Sequence, residues 1–312
     1  MTPPLLSRDE AVDFLRERLH IYDDVTHVSL DLLERIIVAF HQNLPFQSLT
    51  NMAVPPQDRH VPSSEQVKQD MLLGLGGLCT SQNYFVYELL HALGFNTSLA
   101  AGIVREAPDI NHALVIVRDL VLNGDVYLAD VGTGYPTFHA VPLDFSQESP
   151  VYHDSFQTYK YVRLDTSTGG GSSVTRYARM IARRVDKVIA PVVDDTDEMV
   201  WTQFYQFTLD NIDYTELAQR ANKTVYENMS SRLNLLILVC GWPNPHGRAV
   251  VIENKTLYQE DDTGQLNRMQ IATNDELEEL ILKYYPAFDK DTVHKAVSIW
   301  STLPPCVDLK FS

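Results

Sequence analysis

Apolar positions recur at helical spacing through the first third of the chain and give way to strand-like runs after it. Ser7 and Glu10 have capping-box spacing before Ala11, Val12, Phe14 and Leu15, and Ser63 and Gln66 repeat it before Val67, Met71 and Leu72. Between them Leu30, Leu32, Leu33, Ile36, Ile37, Val38 and Phe40 form an apolar helix face, read as core. Pro45 ends that helix, and a polar loop with prolines is expected to run to Pro62. From Thr80 the spacing of Tyr84, Val86, Leu89, Leu90 and Leu93 predicts a further helix, with Gly94 as its stop.

Past Gly94 the period changes. Strands are predicted at 97–104, 113–117, 126–131, 159–164, 188–193 and 204–209, where short runs are rich in β-branched and aromatic residues. Asn123-Gly124 is a turn signal between the second and third of these. The last third mixes strands at 233–239 and 249–253 with a helix whose apolar run, Leu277, Leu280, Ile281 and Leu282, follows Thr273 and Glu276. Helices, then antiparallel strands, then a mixed end predict an α+β chain.

Composition narrows the class. No apolar run approaches the roughly 18 residues of a membrane helix. The start, Met1-Thr2-Pro3-Pro4, lacks the basic and apolar regions of a secretory signal. Cys79, Cys240 and Cys306 form no Cys-x-x-Cys pair, which argues against a disulfide framework or a metal site and for a reducing, cytoplasmic home. A net charge of −16 argues against nucleic acid or an anionic membrane as partner.

The candidate chemistry centres on Gly76-Gly77-Leu78-Cys79. Paired glycines allow a tight backbone path, and the sulfur falls at a helix start, where free N–H groups and the helix dipole favour an anion. That setting suits a thiolate nucleophile, although a lone cysteine is also commonly a small buried hydrophobe. A thiolate needs a base, and the base an orienting group. His112 opens a predicted strand after the nucleophile helix, and Asp130 is an acid inside an otherwise apolar strand. A tight turn at Asn123-Gly124 places His112 beyond Asp130 on the neighbouring strand; a looser one brings them together. A capped loop histidine and a carboxylate tied to a backbone amide are the alternatives.

Leu44-Pro45-Phe46-Gln47-Ser48-Leu49, Gly76-Gly77-Leu78-Cys79, Gln82-Asn83, Asn111-His112 and Asp130-Val131-Gly132-Thr133-Gly134 together resemble, in order, the landmarks of the arylamine N-acetyltransferase family. The resemblance runs to about residue 285 and includes Tyr205 to Leu209 and Thr256-Leu257. It implies an N-terminal helical bundle (1–95) carrying Cys79, an antiparallel β-barrel-like domain (96–210) carrying His112 and Asp130, and a C-terminal α/β lid (211–312), around a cysteine-protease-like Cys-His-Asp core. It further implies ping-pong transfer from acetyl-coenzyme A to a small aromatic amine, hydrazine or hydroxylamine by a monomeric enzyme that needs no metal. Cys79 would carry the acetyl group, His112 act as base and Asp130 orient it. Ser230, Ser231 and Gly134 fall where the family binds its co-substrate, and Phe46 and Thr133 where it binds the acceptor.

Three positions depart from the family pattern. Leu75 stands for the Arg before Gly-Gly, Gln47 for the Glu after Pro-Phe, and Thr133 for the Phe of Asp-x-Gly-Phe-Gly. The first two are expected to meet, as a neutral replacement for an ion pair bracing the nucleophile helix. The basic run Arg176, Arg179, Arg183, Arg184 and Lys187 is read as a solvated face balancing Asp194, Asp195, Asp197 and Glu198, not as a phosphate site. Use of another acyl donor, a transglutaminase-like Cys–His–Asp acyl enzyme and a non-catalytic binding homologue remain as rival readings.

Overall fold

The computed structural model describes residues 4–23, 25, 27–167, 173–184, 199–243 and 247–305. The first part is helical: α1 (Arg8–Glu17), α2 (Leu30–Asn43), the short strand β1 (Phe46–Gln47), α3 (Leu49–Met52), α4 (Ser64–Leu73) and α5 (Cys79–Leu93). Ser7 and Glu10 close a full capping box on α1. Ser63 accepts from the Gln66 N–H, but the Gln66 amide turns to Asp70 instead of back to the cap. The stretch 45–62, expected as loop, hides β1 and α3.

An antiparallel sheet follows: β2 (Asn96–Val104), β3 (His112–Arg118), β4 (Val126–Ala129), β5 (Val141–Pro142), β6 (Tyr152–Asp154), β7 (Gln157–Ser167), β8 (Ser173–Arg184) and β9 (Met199–Phe207). Its spatial order is β5-β4-β3-β2-β9-β8-β7-β6. Val141 and Leu143 near one edge share an apolar cluster with Tyr159 and Tyr161 near the other, so the sheet curls on itself around that cluster. Strand β3 is buried on both faces. Leu114 and Ile116 enter the curled interior, whereas Ala113, Val115 and Val117 pack on the cluster that α1, α2 and α5 also fill. His112 takes the interior parity. The strand expected at 188–193 lies outside the described residues.

The remainder comprises α6 (Tyr214–Ala221), a π-turn at Asn222–Tyr226, α7 (Arg232–Leu235), β10 (Leu238–Gly241), β11 (Val250–Glu253), β12 (Thr256–Glu260), β13 (Leu266–Gln270), α8 (Asn274–Tyr284) and α9 (Lys290–Trp300). The strand expected at 233–239 is therefore half helix. Buried Asn234 explains the difference, because its amide nitrogen donates to the carbonyls of Val225, Tyr226 and Asn228 and pins 232–235 against the π-turn.

The C-terminal sheet runs β1-β10-β11-β12-β13, so its first strand comes from the N-terminal part of the chain. Phe46 pairs with Cys240 on one side and bridges to Gly77 on the other. The segment before α5 is thus gripped by backbone: Gln47 N–H donates to Gly77 O and Gly77 N–H to Pro45 O. Only glycine fits at 76, where φ is +68° and a Cβ would fall 1.9 Å from the Pro45 carbonyl oxygen. Gly124 also has positive φ (+88°), but nothing lies within 4 Å of its missing Cβ. We expect Gly76→Ala to cost about 3 kcal/mol, left-handed strain plus a clash that backbone cannot relieve, against roughly 1 kcal/mol for Gly124→Ala. Urea unfolding of the two variants compares them; equal losses would mean that the Pro45–Gly76 approach is not holding the segment.

Candidate active site

Cys79 is the first residue of α5 and is 6 % exposed. Leu78, the N-cap, offers no side-chain bond, and the N–H groups of Ser81 and Gln82 both turn back to the Leu78 carbonyl. The amides of Cys79 and Thr80 are the ones left to point out of the first turn. The Cys79 thiol donates to the Asn111 carbonyl at 3.4 Å, and the sulfur interacts electrostatically with the ring of His112.

His112 is buried and its Nε2 lies 3.0 Å from Asp130 Oδ2. With Nε2 committed to Asp130, Nδ1 is the nitrogen left for the sulfur. The alignment comes from the β3–β4 register, Val115 opposite Ala129 and Arg118 opposite Val126. Extended past the ladder, it puts Asp130 opposite Leu114, one diagonal step from His112 on the same face. The looser turn is the one used. Asp125 accepts from the N–H groups of Leu120, Val121 and Leu122, and Asp119 from that of Gly124, which holds open a loop over 119–125 instead of a two-residue turn.

Asp130 is fully buried and has four donors. His112 and the Tyr205 hydroxyl (2.8 Å) serve Oδ2, while Asn83 Nδ2 (2.8 Å) and the Gly132 N–H (3.2 Å) serve Oδ1. Burial alone favours the neutral acid, but the charge and hydrogen bond of His112, with Asn83 and Tyr205, hold the carboxyl down to about 2. Burial likewise opposes charge on His112; Asp130 and the contact with Cys79 overcome it and raise the imidazole to about 10. At neutral pH the site therefore holds an imidazolium between a carboxylate and a sulfur.

Asn83 is one helical turn after Cys79 and so shares its face of α5. Besides Asp130 it donates to Ala113 O and accepts from the Val131 N–H, stitching α5 to β3 and to the loop after β4. That loop passes directly over Cys79. A Cβ on Gly132 would lie 2.9 Å from Cys79 Cα, and one on Gly134 would lie 2.9 Å from the Phe46 ring.

The other expected site residues are placed as follows. Phe46 and Cys79 belong to one apolar cluster, with Tyr135 and Phe138 against it. Thr133 is buried, and its hydroxyl donates to Tyr135 O and accepts from the Tyr135 N–H and, at 3.5 Å, from Arg179 Nη1. The Gly134 carbonyl accepts from Cys240 Sγ. Ser230 is exposed, and Ser231 stands at the N-cap position of α7 without a side-chain capping bond, shortly after Tyr226, whose hydroxyl lies 3.3 Å from Thr80 Oγ1. The Gln47 amide makes two bonds to Thr50, and Leu75 packs on the C-terminal apolar cluster.

Sequence reasoning missed two roles. Tyr205 was legible only as a strand residue, and its inward hydroxyl follows from the fold. Arg179, expected on a solvated face, is entirely buried; Arg176 is exposed, the side chains of Arg183 and Arg184 lie outside the description, and Lys187 lies outside the described residues.

A sequence model of the N-acetyltransferase family matches residues 29–286. Comparison with curated proteins finds no sequence match. Among solved structures, the arylamine N-acetyltransferase of Nocardia farcinica superposes with a TM-score of 0.73 at 18% identity, over 96% of this chain and 100% of that one. The Mycobacterium abscessus arylamine N-acetyltransferase gives 0.71 at 18% identity, over 93% and 94%. The Mycobacterium marinum enzyme in complex with CoA gives 0.67 at 16% identity, over 92% and 98%. With a family match across most of its length and this fold around Cys79, His112 and Asp130, the chain belongs to the N-acetyltransferase family and is an acyltransferase.

Proposed function

We propose that the protein transfers an acetyl group from acetyl-coenzyme A to an arylamine, arylhydrazine or arylhydroxylamine through a thioester on Cys79. The observation that carries this reading is the pairing of His112 with a buried, four-donor Asp130, with Cys79 acting on the same ring from the start of α5. The Mycobacterium marinum relative, whose structure contains CoA, supports the choice of donor.

In the first half-reaction the sulfur, as thiolate beside the His112 imidazolium, adds to the acetyl carbonyl. The oxyanion forms over the first turn of α5, where the N–H groups of Cys79 and Thr80 serve as donors. Collapse breaks the bond to the coenzyme A sulfur, which leaves with the proton from His112. In the second half-reaction His112 accepts a proton as the amine nitrogen adds to the thioester carbonyl, and collapse expels the Cys79 thiolate with the N-acetyl product. Asp130 stays ionised throughout and fixes the ring.

Phe46 and Thr133 belong to the acceptor side of this reading. Gly134 stands where the acyl-bearing end of the donor and the acceptor meet. Ser230 and Ser231 serve the remainder of coenzyme A; the packing of the preceding π-turn against Thr80 and against the Ile110 carbonyl, which accepts from Thr224, supports that placement. The cleft lies between the units 1–95 and 96–210, and the enzyme works as a cytoplasmic monomer. Among the described residues no helix is long and apolar enough to cross a membrane.

Incubation with acetyl-coenzyme A should raise the intact mass by one acetyl group, and Cys79→Ser should abolish the rise at that residue. His112→Gln should slow thioester formation by about a hundredfold or more, the usual worth of a positioned base. A mass gain that survives in Cys79→Ala would remove the nucleophile from the scheme.

The His112–Asp130 pair also predicts how stability depends on pH. An imidazole raised from 6.5 to about 10 contributes stability that is complete below 6.5 and is lost as pH rises through 10. In Asp130→Asn the raising charge is gone and burial keeps His112 neutral, so that contribution is absent. The difference in melting temperature between wild type and Asp130→Asn should shrink as pH goes from 6.5 to about 10. The depressed Asp130 itself contributes stability above 3.8 that is lost as pH falls through about 2. A gap that stays constant across the alkaline window would mean that His112 is not held protonated by Asp130.

A further inference from the structure

Arg179 has no role in the scheme above, yet its surroundings are unusual. It is 0 % exposed, its guanidinium lies 4.1 Å over the Tyr159 ring, and among the described residues no carboxylate lies within ion-pair distance. Its hydrogen bonds go to neutral groups of one segment: Nη1 to Thr137 Oγ1 (2.7 Å) and Thr133 Oγ1 (3.5 Å), and Nη2 to Pro136 O (2.9 Å). Its Nε has no partner among the described residues. A buried cation with only neutral acceptors is a poor way to gain stability, since apolar packing of similar volume does as well or better. Its presence calls for a role in the site.

The placement supplies one. Arg179 is opposite Tyr205 in the β8–β9 ladder, and the register shifts between Arg179 and Met180. Such a bulge re-aims the side chain beside it. Tyr205 holds Asp130, the start of the loop that crosses Cys79, and Arg179 holds the far end of the same loop at Thr133, Pro136 and Thr137. The loop is slung between two facing residues of adjacent strands, with Gly132 on Cys79 and Gly134 on Phe46 in between. The third grip point, Thr133, is the position where this chain lacks the aromatic residue of the family pattern.

We propose that Arg179 is a positioning residue that fixes the acceptor-facing segment 133–137 and thereby sets the affinity for the amine, not for the acyl donor. This rests on the acceptor placement proposed above. Arg179 does not touch the reacting atoms; it acts through the backbone it tethers.

The experiment separates the half-reactions in wild type, Arg179→Met, Arg179→Lys and Thr137→Val. Thioester formation from acetyl-coenzyme A is followed by quenched intact mass, and discharge of the acetyl-enzyme by its dependence on aniline concentration. In Arg179→Met, acetylation should stay within about threefold of wild type while the KM for aniline rises about tenfold or more, the split expected when only acceptor positioning is lost. Arg179→Lys keeps the charge but not the fork, and should recover only part of the loss. Thr137→Val removes one grip without touching the charge and should move the aniline KM the same way, by about threefold. Should Arg179→Met fail to fold, Thr137→Val decides. An unchanged aniline KM in the folded variants, or donor and acceptor steps slowed equally, overturns the proposal while leaving the reaction intact. Absence of a thioester in the wild type overturns the reaction itself and this inference with it.

Discussion

One buried charge organises this molecule. Asp130 is fully enclosed, and an ionised carboxylate in such a place costs several kcal/mol unless every lone pair finds a donor. Its four donors come from four parts of the chain: Asn83 on α5, His112 on β3, Tyr205 on β9 and the Gly132 amide in its own loop. Satisfying the charge therefore fixes the helical layer against the curled sheet, and the geometry that orients His112 is the geometry that makes the interior stable. The proposed catalytic arrangement and the fold share one set of hydrogen bonds.

The same point explains what the sequence could and could not disclose. The start of α5 was legible because paired glycines, an apolar run and a terminal Gly94 are local signals. So was the strand character of 113–117 and of 126–129, although the strand stops one residue short of Asp130, which the sequence had put inside it. The register between those strands was not, because it depends on Asp119 and Asp125 bonding the amides of their own loop, a choice the Asn123-Gly124 signal does not reveal. Tyr205 could be placed on a strand, but which way its hydroxyl points is set by the curl of the whole sheet. Arg179 misled for the opposite reason. In a run of basic residues its neighbours suggest solvent, while strand parity and a bulge turn it inward.

The departures at 47 and 75 follow a similar logic. Where the resemblance implied a charged brace behind α5, backbone holds the segment: the Pro45, Gln47 and Gly77 bonds, with the Gln82 amide donating to the Pro45 carbonyl. Gln47 then needs only a local partner, which Thr50 supplies twice, and Leu75 is free to join the C-terminal apolar cluster. Because β1 also opens the C-terminal sheet, the segment that steadies Cys79 is held from both sides without a buried ion pair.

Charge bookkeeping within the site also bears on how the cycle turns over. In the proposed scheme the thiolate sulfur of Cys79 and the carboxylate of Asp130 would lie on either side of the His112 ring. Acetylation consumes the charge on sulfur. His112 is raised by Asp130 and also by its electrostatic interaction with Cys79, so forming the thioester removes one of the influences that hold its proton. Burial, which opposes the charged form, then weighs more heavily. In the proposed scheme the imidazole that held its proton beside the thiolate would give it up to the departing coenzyme A and be left neutral, the state needed to take a proton from the amine. When the amide product departs and the thiolate returns, the imidazolium is favoured again. A single histidine can thus serve as acid in one half-reaction and base in the next because the charge of its neighbouring sulfur alternates, while Asp130 stays unchanged.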